Sequence, residues 1–133
     1  MVSLISLTYG FKICYNKLQE KKMEGGNMAR NNVLVDKSIE FAIKVLNLKK
    51  NVESETAISL VSELETCAYE IGENASVIAI DELSEEGLRN ALSAVLRAEY
   101  WIKLLISSKS IPEDEKSREL SFDCLDLKKK ITS

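Results

Sequence analysis

Apolar and polar residues follow two rhythms in this chain, and the change falls near Val33. From Ile5 the pattern alternates. Ile5, Leu7, Tyr9, Phe11, Ile13 and Tyr15 are separated by Ser6, Thr8, Gly10, Lys12 and Cys14. Period two is a strand signal. No second strand pattern follows, and a lone strand leaves its backbone groups unpaired.

From Val33 the spacing becomes helical. The pattern predicts a first helix over about 34–50, carrying Leu34, Phe41, Val45 and Leu48 on one stripe. A neighbouring stripe of Val35, Ile39, Ala42 and Leu46 widens the apolar face, as in a bundle helix with neighbours on two sides. The second helix has the clearest signal. After a capping Ser54, the residues Ala57, Leu60, Val61, Leu64, Cys67, Ala68, Ile71, Gly72, Ala75, Ile78 and Ala79 repeat at steps of three and one. Gly72 costs about 1 kcal/mol relative to Ala inside a helix, so another helix is expected to approach closely there. The end of this helix, Val77 to Ile80, is apolar all round and is expected to be buried by something beyond its own bundle or by the N-terminal segment.

A third helix is predicted over about 83–108, capped by Ser84 or Asp81. Leu88, Ala91, Val95, Ala98, Ile102 and Leu105 form its stripe. A fourth is predicted over about 112–131. Ser110 and Glu113 have capping-box spacing, Pro112 suits a first turn, and Leu120, Cys124, Leu127 and Ile131 form the stripe. The connections are short, which makes consecutive helices antiparallel neighbours. The fold class is therefore all-α, an antiparallel up-down-up-down four-helix bundle over residues 32–133.

Residues 1–31 stand apart as an N-terminal extension. Glu24-Gly25-Gly26-Asn27 precedes Met28. Codons for such a run can spell a bacterial ribosome-binding sequence. Two readings stay open: Met28 as the natural start with an upstream read-through, or a true extension, disordered or packed in an oligomer. The extension has neither the basic lead nor the cleavage site of a secretory signal. With no long apolar run, the expected setting is cytoplasmic.

Composition narrows the chemistry. The 133 residues include no histidine. That removes the commonest general base, the commonest metal ligand and any Ser-His or Cys-His dyad. Glu63, Glu70 and Glu73 come close on one helix face, but di-iron bundles need Glu-x-x-His pairs. They read as a solvated face. Cys14, Cys67 and Cys124 have no metal spacing and read as small core hydrophobes. The expectation is no enzyme, no metal and no cofactor. The net charge is −3; residues 1–27 hold four Lys and two Glu, so the remainder carries −5. Between Asn51 and Leu88 there are ten acidic residues and no Lys or Arg. Cations gather at Lys49 and Lys50 and at Lys128, Lys129 and Lys130, where helix C-termini favour them.

Three stretches carry a family resemblance: Asn32 to Leu48, Glu70-Ile71-Gly72-Glu73-Asn74-Ala75, and Arg97-Ala98-Glu99-Tyr100-Trp101-Ile102-Lys103-Leu104-Leu105. Together they resemble the bacterial four helix bundle proteins, also called intervening-sequence or S23-type proteins, which are related to accessory proteins of diversity-generating retroelements. The resemblance covers about residues 32–131. Gly72, Asn74, Glu99, Tyr100, Trp101 and Lys103 keep the family motifs, whereas Glu65, Thr66, Glu70, Glu73, Val77 and Ser93-Ala94-Val95 depart from them. The family is not known for catalysis. The resemblance implies a ring-like homopentamer, and the retroelement relatives are basic and bind nucleic acid.

The expected function is thus a self-associating scaffold or interaction module. Gly72, Asn74, Ala75, Val77, Ile80, Tyr100 and Trp101 are the candidate packing and contact residues. Adjacent Tyr100 and Trp101 point about 100° apart on a helix, so only one can face its own bundle centre. Asn74 is either a polar register residue, bonding helix ends or a neighbouring chain, or simply exposed. The alternative is a nucleic-acid accessory protein acting through Lys49, Lys50 and Lys128 to Lys130.

Overall fold

The computed structural model describes residues 29–133, with side chains described from residue 33. The alternating pattern, the two readings of residues 1–27 and Cys14 lie outside the described residues. Four helices follow one another: α1 (Ala29–Asn51), α2 (Glu55–Ile80), α3 (Glu85–Ser107) and α4 (Glu115–Thr132). No strand occurs among the described residues. Each helix packs on the next, and α4 returns to close on α1. No backbone approach crosses either diagonal. This is the antiparallel four-helix bundle that the periodicity predicts.

The predicted stripes form the core. Leu34, Phe41 and Val45 of α1 are buried, as are Val61, Leu64, Ile71, Ala75 and Ile78 of α2. Ala91, Val95, Ala98, Ile102 and Leu105 of α3 meet Leu120, Cys124, Leu127 and Ile131 of α4. Cys67 and Cys124 are free, buried thiols. Burial raises the pKa of both, so they stay protonated and behave as small apolar groups.

The helix starts follow local chemistry. Ser54 Oγ accepts from the Ala57 amide at 3.1 Å, and Ser84 Oγ accepts from the Gly87 amide at 3.0 Å. Asp81 is not the α3 cap; its carboxylate accepts from the Leu83 amide and shapes the turn. Helix α1 begins at Ala29, ahead of the predicted Leu34. Ala29 and Arg30 are strong helix formers, which suits a helix that starts ahead of the change of rhythm at Val33.

The start of α4 also differs from expectation. Asp114, not Ser110, is the cap, and it exchanges hydrogen bonds with Ser117 in a capping box. Ser110 is occupied in ending α3. Its amide bonds to the Leu105 carbonyl and that of Lys109 to Ile106, a Schellman pattern with Lys109 at φ 60°. Ile111 then buries against the core, and Pro112 lies ahead of the helix.

The second stripe of α1 is the largest departure. Val35 is buried and Ala42 half-buried, but Ile39 is 50% exposed and Leu46 36% exposed. Its apolar width exceeds what two neighbouring helices cover.

Candidate interaction surface

The motif residues of α2 and α3 divide between core and surface. Ala75 is fully buried. Asn74 is half-buried and its Nδ2 donates to the Glu70 carbonyl of its own helix at 2.8 Å. Among the described residues this bond, within its own helix, is the one its side chain makes. Gly72 faces α1. A Cβ built there would stand 3.7 Å from Ser38 Oγ, an ordinary contact. The buried Ser38 hydroxyl donates to the Val35 carbonyl at 2.6 Å. The position that does need a missing side chain is Gly87. A Cβ there would meet Ser84 Oγ at 3.1 Å, Val77 Cγ1 at 3.3 Å and Ile78 Cγ1 at 3.4 Å. Its place in a first turn had concealed this, because close approach is a tertiary fact.

Trp101 is half-buried against the core, and Tyr100 points outward with 58% of its surface exposed. Their rings meet edge to face, 5.1 Å apart. Ile78 and Ala79 are buried inside the bundle, whereas Val77 and Ile80 remain on the surface. Tyr100, Val77 and Ile80 thus present exposed area on the surface of the described bundle.

More residues join them, and the sequence reading had placed none of these as contacts. On α1, Ile39, Ile43 and Leu46 recur at helical spacing along the outer face. Ile58 and Tyr69 of α2 lie on the side of that helix turned towards α1. Leu96 of α3 is 48% exposed, and Phe122 and Leu125 of α4 are also exposed. Periodicity reports spacing and cannot tell an outward stripe from a buried one. The signal for an outward stripe was a helix with more apolar positions than a square bundle can use.

Ion pairs tie neighbouring helices. Lys49 Nζ lies 2.7 Å from Glu65 Oε2, and the Tyr69 hydroxyl donates to the other oxygen of the same carboxylate. Burial disfavours charge on Glu65, but Lys49 and Tyr69 outweigh it and hold its pKa below the usual carboxylate value. Burial, reinforced by Glu65, pushes Tyr69 up to about 12. Arg97 pairs with Glu70 across α2 and α3. Lys44 sits between Glu119 and Asp123, at 2.6 and 2.7 Å, and locks α4 to α1.

The candidate nucleic-acid lysines do not converge. Lys128 pairs with Glu99 at 3.0 Å and Lys130 with Asp126 at 2.7 Å. Lys49 is engaged by Glu65, which leaves Lys50 and Lys129 without an ion pair among the described residues. Because α1 and α4 are antiparallel, their C-terminal lysines lie toward opposite ends of the bundle, roughly 20 Å apart at a 1.5 Å rise per residue. No group of three or more carboxylates or thiols among the described residues could hold a metal ion.

The class defined by this geometry is a square antiparallel bundle with apolar outer faces. No family model matches the chain, and no curated protein does. Among solved structures, it is similar to a protein with unknown function from the S23 ribosomal protein family of Bacteroides thetaiotaomicron VPI-5482, with a TM-score of 0.68 and 26% identity. The match covers 77% of this chain and 95% of that one. With the motif residues of α2 and α3, it supports the family-level resemblance to the S23-type four-helix bundle proteins.

Proposed function

We infer that the protein is a non-enzymatic, self-associating bundle that serves as a scaffold or interaction module. The observation that carries this reading is the outward apolar stripe of α1, Ile39, Ile43 and Leu46, together with exposed Tyr100 and Leu96 on α3. Singly scattered apolar residues are normal on a surface, but stripes at helical spacing mark contact sites. The partner proposed is a second copy of the chain, and the resemblance favours a pentamer. A bacterial cytoplasmic setting goes with the reading. No helix among the described residues is long and apolar enough to cross a membrane, and free thiols at Cys67 and Cys124 fit a reducing compartment. Nucleic-acid binding has less support, because the candidate lysines are largely paired and divided between the two ends.

Light scattering at micromolar concentration tests the reading. A mass several times the 14.9 kDa chain is expected. A monomer mass would overturn it.

A further inference from the structure

The end of the bundle where α2 turns into α3 joins an exposed apolar strip to carboxylates that have no cation. Leu83, in the turn, is 87% exposed, the highest value for a large apolar side chain among the described residues. Val77 and Ile80, one helical turn apart at the end of α2, are exposed as well and lead up to it. Glu73, Asp81, Glu82, Glu85 and Glu86 flank the strip. All five are exposed, and none makes an ion pair among the described residues. Glu85 and Glu86 suit the N-terminal pole of α3. Asp81 has no such reason. It caps the C-terminus of α2, a pole that favours cations, and the last turn of α2 has no basic residue.

We propose that residues 1–28 dock on this end of their own bundle, with their apolar residues on Val77, Ile80 and Leu83 and their lysines among the five carboxylates. Two observations select this occupant. The first is the place where it enters. The contacts Lys49–Glu65 and Ser38–Gly72 set α1 and α2 antiparallel, so Ala29, the first residue of α1, stands at the end of the bundle where α2 finishes. Neighbouring helix axes lie about 8–10 Å apart, and an extended chain covers about 3.3–3.6 Å per residue. Lys22 and Lys21, seven and eight residues ahead of Ala29, therefore reach the strip with slack. The second is complementary chemistry. The segment supplies Lys12, Lys17, Lys21 and Lys22 against two glutamates, where the bundle has no Lys or Arg between Asn51 and Leu88. Its apolar positions from Ile5 to Tyr15 match an apolar strip rimmed by acids. The contact lies within one chain and does not depend on the self-association inferred above.

Limited trypsin digestion of the full 133-residue chain, followed by mass spectrometry, tests the proposal. Cuts after Lys12, Lys17, Lys21 and Lys22 are expected at least tenfold more slowly than in a free peptide of residues 1–28. The protection should be the same at every protein concentration, since the contact is within one chain. A variant with Ile80→Glu and Leu83→Glu should lose it, and so should Glu82→Lys with Glu85→Lys. The cut after exposed Lys109, in the α3–α4 connection, serves as the reference and should keep its rate in both variants. Circular dichroism verifies that helicity is kept; should the first variant lose it, the second, on exposed charges alone, carries the test. A wild-type segment cut as fast as the free peptide would overturn the proposal, as would protection that survives both variants. Loss of oligomer mass in the first variant with segment cleavage unchanged would assign the strip to a second copy and overturn it too. A native protein whose N-terminus is Met28 would lack the occupant and overturn it as well. A monomeric wild-type chain with a protected segment would overturn self-association and support this contact.

Discussion

The Lys49 ammonium of α1 and the Glu65 carboxylate of α2 lie 2.7 Å apart, and the Tyr69 hydroxyl closes on the same carboxylate from one helical turn away. A cation that sequence alone offers for an external phosphate is therefore spent inside the bundle. The pairing also sets a pH dependence. The folded pKa of Glu65 is lowered, so its contribution to stability is present above the unfolded carboxylate pKa and is lost as pH falls through the folded value. Glu65→Gln should therefore lower the melting temperature at neutral pH. The gap from wild type should close in acid, below the usual carboxylate range. Calorimetry across pH 3–7 (about four points) checks this.

Tyr69 has the opposite sign. Its folded pKa is raised to about 12, so its contribution holds below the unfolded value near 10 and fades as pH rises from there through 12. In an ultraviolet titration of tyrosinate, Tyr69→Phe should remove a component near 12 while leaving the helical content unchanged.

The two helical glycines should respond oppositely. Gly72→Ala meets only an ordinary contact with Ser38 and gains helix propensity, so it should stabilise by up to about 1 kcal/mol. Gly87→Leu must displace Val77, Ile78 or Ser84 and should cost about 1–3 kcal/mol. Urea midpoints of the two variants, compared with wild type, give the signs.

Lys109 holds a left-handed conformation at the end of α3. A side chain there costs energy that glycine avoids, so Lys109→Gly should stabilise by about 1 kcal/mol. Thermal melts check it, and a loss of stability would mean that the Schellman turn depends on the lysine side chain.

Cys67 and Cys124 should react with a thiol reagent only when the bundle opens. Both are buried in the core, with pKa values raised by burial. Labelling rates should be the same for the two thiols and should rise with denaturant in parallel with global unfolding. Fast labelling of either in the native protein would contradict the packing described here.

The bundle was legible because its signals are local. Ser54 and Ser84 announce helix starts by side-chain chemistry that acts within three residues. The α2 seam from Ala57 to Ala79 announces a buried face by its spacing. The misreadings share a cause, which is competition from elsewhere in the chain. Ser110 has the spacing of a cap, but its amide is already used to terminate α3. Ile39 and Leu46 have core spacing but lie on the side of α1 that neither α2 nor α4 covers. The surface roles of Tyr100 and Val77 followed from adjacency along a helix, a local argument, whereas the face beside Tyr69 needed the antiparallel register of α1 and α2.

The return of α4 onto α1 has a kinetic consequence. Every other packed pair joins consecutive helices through a short connection, so most native contacts are near in sequence. Chains dominated by such contacts fold quickly, in roughly microseconds to milliseconds. The α1–α4 seam is different: Lys44 must find Glu119 and Asp123 across more than half the chain, and it can do so only after three hairpins have set the direction of α4. The Lys44 clasp therefore belongs to the last step of folding. Weakening it should speed unfolding and leave the folding rate nearly unchanged.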